Sequence, residues 1–158
     1  MTGILKVDQI QNNTGTTAMT INSDGYVNLP QAIAFMARKT DASTHTAGGN
    51  ITFNTTVTSH SGWNGTTFTC PIAGKYRFYM GAHMQSMSNS GFEIGIAKGG
   101  TVVISGYAYN STATRERTSC EAIISCNVGD AITFRLIQGD LYAGTGTGGV
   151  SCTGHLLG

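Results

Sequence analysis

The stretch Thr66–Phe78, TTFTCPIAGKYRF, decides the fold of this chain. Its first half ends at Pro71, which has no backbone N–H to donate to a sheet and therefore ends a strand. Gly74 then allows the bend that Pro71 initiates. In the second half Tyr76 and Phe78 alternate with charged residues, which is the period-2 pattern of a half-buried strand. The stretch therefore predicts two successive core strands joined by a tight turn, with two large aromatic side chains buried on one face.

The same strand-and-turn pattern continues on both sides of this stretch. Candidate strands are separated by clusters of Gly, Asn, Ser and Asp, which favour tight turns. Many short antiparallel strands at close spacing predict an all-β sandwich. The predicted strands are Ala34–Lys39, Asn50–Ser59, Thr66–Cys70, Gly74–Met84, Gly91–Lys98, Thr101–Asn110, Thr118–Cys126, Ala131–Gln138 and Gly149–Leu157.

The composition argues against several classes of function. Charged residues make up only 11% of the 158 residues and the net charge is +1, so no electrostatic field favours a nucleic acid. The apolar runs are too short to span a bilayer, and we expect no membrane partner. Residues 1–8 lack the basic start and apolar core of a secretory signal.

Four cysteines, Cys70, Cys120, Cys126 and Cys152, each fall in a strand-like segment. An even number permits two disulfides in three connectivities. Without a secretory signal, free buried thiols are favoured over disulfides. No pair has CxxC or zinc-ligand spacing, and we expect no metal and no cofactor.

The sequence carries no motif of a catalytic site. No GxSxG occurs and no acidic pair stands out. The glycine-rich stretch Ala143–Gly149 lacks the GK[ST] ending of a phosphate-binding loop. His45, His60, His83 and His155 are not spaced as metal ligands. We therefore predict that the protein is not an enzyme.

Two domains are predicted, an N-terminal arm of residues 1–30 and a sandwich of residues 31–158. The run Asn22-Ser23-Asp24-Gly25 predicts a hairpin turn in the arm, and Pro30 ends the strand pattern. The arm has too few apolar residues to hold a core alone, so it must pack on its own domain, a sister chain or another protein. The arm residues expected to make that contact are Leu5, Val7, Ile10, Met19, Ile21, Tyr26 and Val27.

The run Phe68–Phe78 resembles the F-x-C-P-x-x-G-x-Y-x-F signature of complement C1q-like globular heads. Phe35 is similar to the aromatic residue of that family's first strand. Val128–Phe134 resembles its G-D-x-V segment. Cys152–Leu157 resembles its closing F-x-G-x-L-L strand, with a cysteine where an aromatic residue is usual. The resemblance covers about residues 33–158.

This resemblance implies a jelly-roll β-sandwich of ten strands, related to tumour necrosis factor. It also implies a homotrimer with apolar and aromatic residues near its three-fold axis, and whether an ion sits on that axis stays open. The residues expected in the sandwich core are Phe35, Phe68, Cys70, Tyr76, Phe78, Ile132, Phe134 and Leu156, with Cys70 a free thiol.

The arm has a resemblance of its own. Ile4–Asn12 followed by Thr16–Ile21 is similar to the opening of many bacteriophage structural proteins, notably tail-fibre and capsid-associated proteins of cyanobacterial and marine phages. In those proteins the pattern precedes a trimeric β-rich module. The resemblance implies a virion protein that is assembled in the host cytoplasm.

Together these features predict a trimeric capsid decoration (cement) protein. Its arm would bind the major capsid protein or another virion protein, and added interface area would stabilise the shell. The alternative is the tip of a tail fibre, head fibre or spike that binds a host receptor or surface glycan. The sequence leaves open the position on the virion, the partner and the host. The apical loop residues expected to make receptor contacts are Asn110, Arg115, Arg117 and Tyr142.

Overall fold

A computed structural model describes residues 7–28, 32–41, 45, 47–59, 62–83, 90–111, 116–142 and 149–157. Leu5 and Arg115 lie outside the described residues. The chain divides into two compact units, residues 1–33 and 34–158. The strands of the first unit are β1 (Gln9–Gln11), β2 (Thr17–Ile21) and β3 (Val27–Asn28). The strands of the second are β4 (Ala34–Lys39), β5 (Thr55–Ser59), β6 (Thr67–Thr69), β7 (Gly74–His83), β8 (Ser90–Lys98), β9 (Thr101–Asn110), β10 (Arg117–Cys126), β11 (Ala131–Gln138) and β12 (Val150–Leu156).

The first unit contains a three-stranded antiparallel sheet in the order β1-β2-β3. The side-chain oxygen of Asn12 accepts hydrogen bonds from the N–H groups of Thr14 and Thr16, which closes the first turn. The predicted hairpin turn also forms, because Gly25 adopts a φ of 81° and its N–H donates to the carbonyl oxygen of Asn22. The polar sequence of the arm therefore builds two tight turns and a short meander.

The second unit is a sandwich of two antiparallel sheets. One sheet has five strands in the order β10-β7-β12-β4-β5, and the other has four in the order β6-β11-β8-β9. The strand order differs strongly from the chain order, because consecutive strands cross between the sheets as in a jelly roll. The alternation predicted for β7 is present, since Tyr76, Phe78, Met80 and Ala82 are buried between the sheets.

The register defines two ends of this sandwich. At the first, called here the loop end, Arg117 pairs with His83 and Ser90 pairs with Asn110. The connections β7-β8, β9-β10 and β11-β12 all leave from this end. The predicted apical loops therefore share one end of the sandwich.

The opposite end is called here the base. There Gly74 pairs with Cys126, and β8 turns into β9. The chain also enters the sandwich at the base, because Ala34 at the start of β4 pairs with His155 near the end of β12. The entering chain and the three loops thus lie at opposite ends of the sandwich.

Aromatic rings fill the space between the sheets. Phe35 stacks on Trp63 with ring centroids 4.5 Å apart, and on Phe68 at 4.8 Å. Gly154 makes room for them, because a Cβ atom there would lie 2.3 Å from Phe35 and 2.7 Å from Phe78. Seven of the eight predicted core residues are at most 2% exposed: Phe35, Phe68, Cys70, Tyr76, Phe78, Ile132 and Phe134.

Leu156, the eighth, is only partly buried, and the expectation of a core position is wrong for it. Leu156 points to the same side of β12 as the buried Val150 and Cys152. However, it is the last residue of the strand, at the base.

The predicted strand Asn50–Ser59 is shorter than expected. A continuous strand begins only at Thr55, whereas Ile51 and Phe53 donate single hydrogen bonds to Phe134 and Gly65 across the sandwich. Both side chains are buried, so this segment has the apolar pattern of a strand but lacks the continuous backbone hydrogen bonds of one. Among the described residues the sandwich accordingly contains nine strands, in place of the ten that the resemblance implies.

Candidate interaction surfaces

An apolar face of the N-terminal sheet is the first candidate surface. Ile10 pairs with Met19, and Ile21 pairs with Val27. Because Met19 and Ile21 are two positions apart on β2, all four side chains lie on the same face of the sheet. We call these four residues the arm face. Ile10 is 49% exposed and Val27 is 56% exposed, so nothing described within the chain covers them.

The surroundings of the arm face are uncharged. Residues 9–23 contain no Asp, Glu, Lys or Arg. Tyr26, beside β3, is 72% exposed and extends the apolar surface, and Val7 is also exposed. Of the seven predicted anchoring residues, six therefore lie on this small sheet or beside it, and Leu5 is outside the described residues. A partner of this surface would recognise it by apolar packing, since no charge is available for ion pairs.

The edge strand β9 is the second candidate surface. It borders the four-stranded sheet, runs for 10 residues and contains no charged residue and no proline. Such an edge presents unpaired backbone groups that favour pairing or packing with another chain. Its exposed apolar side chains, called here the β9 edge, are Val102, Val103, Ile104, Tyr107 and Tyr109.

A groove at the loop end is the third candidate surface. It has a volume of about 470 Å³ and lies on the outer face of the five-stranded sheet. Gly81, Ser119 and Ser151 are neighbours on three strands, and their small side chains leave the depression open. Tyr79, whose hydroxyl lies over Gly81, forms part of the wall. The groove thus combines hydroxyl groups with an aromatic ring.

Arg117 and His83 lie at the loop-end side of the groove. Arg117 and His83 are cross-strand partners on the lining. The N–H of Tyr142 donates to the carbonyl oxygen of His83 at 2.8 Å. The structure therefore brings two of the predicted loop residues, Arg117 and Tyr142, to the same histidine. Asn110 ends β9 opposite Ser90, also at the loop end.

No sequence motif singles out Tyr79, Ser119 or Ser151 as lining residues. Strand alternation predicts that Tyr79 faces away from the core, as it does. Which outward residues lie side by side depends on the register of three strands, and the sequence does not give that register.

An exposed ion pair lies on the same outer face. Arg77 donates two hydrogen bonds to the carboxylate of Glu121, both at 2.8 Å. This bidentate contact lowers the pKa of Glu121 and raises the pKa of Arg77. The pair orients two side chains of opposite charge on this face.

A buried lysine lies near the loop end, on the core side of β4. Lys39 is 1% exposed, and its ammonium group forms an ion pair with Asp41. Desolvation and the charge of Lys39 lower the pKa of the nearby His45. The sequence places Lys39 at the end of a strand but gives no sign that its charge is buried.

Two buried thiols, Cys70 and Cys126, lie at the base. The thiol of Cys126 donates to the carbonyl oxygen of Ile124 at 3.7 Å. Burial raises the pKa of Cys70 to about 12. Beside them Lys98 forms an ion pair with Asp130 at 2.7 Å, which lowers the pKa of Asp130. All four cysteines are free thiols.

Within the described part of the chain, no group of three metal-ligating side chains comes together. The same part of the chain contains no helix long and apolar enough to cross a membrane. The candidate surfaces described above are an apolar sheet face, an apolar strand edge and a polar groove.

The fold and these surfaces define an all-β jelly-roll binding or structural module. A family model described as the C1q domain matches residues 34–157. The chain belongs to the C1q domain family. Domains of this C1q/TNF-like class are generally non-enzymatic binding or structural domains, and members are typically trimeric.

Solved structures agree on the fold. The globular domain of zebrafish complement 1qA protein is 19% identical, with a TM-score of 0.64 over 80% of this chain and 98% of that one. Eiger TNF from S. frugiperda is 9% identical with a TM-score of 0.68, covering 81% of this chain and 94% of that one. Murine APRIL is 10% identical with a TM-score of 0.62, covering 80% and 99%. A search of curated protein sequences gives no match.

Proposed function

We propose that this chain is a non-enzymatic bacteriophage virion protein, a homotrimeric capsid decoration protein that binds the shell through its N-terminal sheet. The observation that carries the proposal is the arm face, formed by Ile10, Met19, Ile21 and Val27. A three-stranded sheet with one apolar face needs a second layer, and nothing described in its own unit supplies one. The major capsid protein would supply that layer, in a virion assembled in the host cytoplasm.

The energetics suit such a role. Burying one large apolar side chain contributes about 1.5–3 kcal/mol. Three arms held by one trimer bind a lattice together, so a weak contact per arm gives a tight complex. The complex stabilises the shell by mass action, because it forms only with assembled capsid. No catalytic group takes part.

The β9 edge supports the trimer. A 10-residue edge without charge or proline is an aggregation hazard when it is left uncovered, so a closed oligomer that covers it is favoured. In the proposed trimer the β9 edge of each copy packs on its neighbour.

Light scattering on the purified chain tests the trimer. We expect a mass three times the 16.5 kDa of the chain. The substitution Tyr107→Lys on the β9 edge should yield monomer. The control is Val128→Lys in the turn after β10, where the side chain is 68% exposed, and it should leave the trimer intact. A monomeric wild type would remove this part of the proposal.

Cosedimentation with empty capsids of the phage tests the anchoring. The double variant Ile21→Ser and Val27→Ser should stay trimeric and lose binding. The matched control Ala18→Ser changes an exposed residue on the opposite face of β2 and should bind as the wild type does. Undiminished binding of the double variant would show that the arm face is not the anchor.

A second candidate function, host-receptor or glycan binding by a fibre or spike tip, is favoured by the loop-end groove. Its hydroxyl groups, the ring of Tyr79 and the cation of Arg117 are groups that contact sugars and acidic glycans. Binding on a glycan array that Arg117→Ala abolishes would support this function. Capsid binding without any glycan binding would support the decoration function.

A further inference from the structure

The base of the sandwich carries exposed apolar side chains on three separate segments. Ile72 lies in the turn between β6 and β7, Val128 in the turn between β10 and β11, and Leu157 directly after β12. Each of the three is at least 46% exposed, and we call them the base patch. We propose that the base patch is a second docking surface, which packs on the same capsid surface that receives the arm face. This inference rests on the proposed function.

Backbone pairing brings the three segments of the base patch together. Gly74 at the start of β7 pairs with Cys126 at the end of β10, so the turn before β7 and the turn after β10 leave from paired residues. On the other side of β7, the N–H of Leu157 donates to the carbonyl oxygen of Lys75 at 2.7 Å. The three apolar side chains are therefore attached to neighbouring strand ends, and one partner surface can contact them together.

A groove with a volume of about 550 Å³ opens at the same strand ends. It is lined by Gly74, Lys75, Ser125, Cys126 and Leu157. Leu157 therefore belongs both to the groove and to the base patch. Contacts that dominate a protein interface are usually large side chains of one partner that enter a pocket of the other. The groove can receive such a side chain from the partner, while the apolar residues around it exclude water.

Hydrogen bonds hold both turns of the base patch in place before a partner arrives. The carbonyl oxygen of Ile72 accepts a hydrogen bond from the hydroxyl of Tyr76 at 2.9 Å. In the other turn, the N–H of Asn127 donates to the carboxylate of Asp130 at 2.7 Å, and this carboxylate forms an ion pair with Lys98 at 2.7 Å. Docking on preformed turns loses less conformational entropy than docking on flexible ones, which favours their use as a contact surface.

The covalent path of the chain identifies the partner. β4 begins at the base, where Ala34 pairs with His155, so the chain that carries the arm joins the sandwich at this end. Five residues, 29–33, connect β3 with β4. A connection of that length spans at most about 22 Å when it is fully extended. A surface that binds the arm face therefore lies within reach of the base, whereas the three loops are at the opposite end of the sandwich.

Three-fold symmetry repeats the contact in the proposed trimer. Rotation about the axis keeps the base patches of all three copies at one height along it, so they face the shell together. Contacts that are linked in one molecule raise its affinity even when each contact alone is weak. Loss of the base patch should therefore weaken capsid binding through all three copies, while the three arms still hold the trimer on the shell.

Cosedimentation of the full-length trimer with empty capsids, over a series of trimer concentrations, tests the inference. Val128→Lys places a charge in an apolar contact and should raise the Kd by at least about tenfold, with the trimer and the melting temperature unchanged. Ile72→Lys, in the other turn, should have the same effect. The matched control is Val57→Lys, which changes an exposed valine in the middle of β5, and it should bind as the wild type does.

A photoreactive phenylalanine analogue in place of Val128 identifies the partner directly. We expect an adduct with the capsid protein from this position, and none from the same analogue in place of Val57.

The outcomes separate this inference from the capsid anchoring itself. Undiminished binding of Val128→Lys, an equal loss in Val57→Lys, or an adduct with another copy of this chain would each overturn the inference. The arm anchor would stand in those cases as long as the double variant Ile21→Ser and Val27→Ser loses binding. A wild type that does not bind capsids would overturn both.

Discussion

The N-terminal sheet and the sandwich are both antiparallel and follow the same period-2 alternation, but only the sandwich buries its apolar residues. Ile21 on β2 is 38% exposed, whereas Phe78 on β7 is fully buried. The difference lies in the number of layers, because a single sheet has nothing to cover its apolar face. The sandwich is stabilised from within. In the proposed function the N-terminal sheet offers its face to another molecule.

Truncating one apolar side chain in each region should produce the largest contrast. Phe78→Ala leaves a cavity among stacked rings and should lower the free energy of unfolding by about 3–5 kcal/mol. Ile21→Ala should change the stability of the sandwich by less than about 0.5 kcal/mol. Urea unfolding followed by the fluorescence of Trp63, the single tryptophan, reports on the sandwich. Equal losses would contradict the division of the chain into two units.

Adding a methyl group to a glycine sharpens the same comparison. Gly154→Ala places a Cβ atom against Phe35 and Phe78 and should cost about 1–3 kcal/mol by overpacking. Gly25→Ala meets no atom within 4 Å, and its cost is the strain of an alanine at a φ of 81°. That strain should accelerate amide exchange in β2 while Trp63 reports an unchanged sandwich. An unchanged stability of the Gly154 variant would show that β12 can move away from the rings.

Two ion pairs of the sandwich, one with a buried lysine and one exposed, should respond differently to the loss of a carboxylate. Asp41→Asn takes a carboxylate from the buried ammonium of Lys39 and should destabilise the protein by about 2 kcal/mol. The control Glu121→Gln breaks the exposed pair with Arg77 and should leave the melting temperature nearly unchanged. Similar losses in both variants would mean that burial of Lys39 does not set the strength of its ion pair.

Alkaline pH should produce the smallest change in the accessible range. Burial raises the pKa of Cys70 from its ordinary value of 9.0 to about 12. Between these values the unfolded chain releases this proton and the folded chain keeps it, so stability is full below pH 9 and falls as the pH rises. Urea unfolding at pH 7, 9 and 10 measures the fall. Cys70→Ser should make it less steep, and the remaining fall comes from the buried thiols of Cys120, Cys126 and Cys152, whose pKa values are also raised. Parallel curves for the variant and the wild type would count against this assignment.

Much of the fold can be predicted from local patterns. The alternation in β7 and the turn at Pro71 predict two core strands, and the aromatic residues of that stretch are buried in the structure. Alternation in the arm identifies its apolar residues, and the turn at residues 22–25 is where the sequence predicts it. Leu156 fits the same alternation and is nevertheless only partly buried, because burial at the end of a strand depends on the length of the facing sheet.

The candidate surfaces depend on contacts between distant segments. The loop-end groove needs the register of β10, β7 and β12, and a shift by one residue would turn Gly81 and Ser119 toward the core. The pairing of Cys70 with the turn that follows Cys126 needs two strands from different sheets to end at the same place. Spacing along the chain carries no sign of either arrangement.

The sequence by itself determined the class of fold, the two-part organisation and the apolar residues of each part, because these follow from period-2 alternation and turn chemistry over neighbouring residues. Only the tertiary structure decided that four arm residues share one face, that Lys39 is buried, and that Cys70 pairs with the turn after Cys126. These features arise where strands distant in sequence are brought together by hydrogen-bond register and sheet packing, which no local pattern encodes.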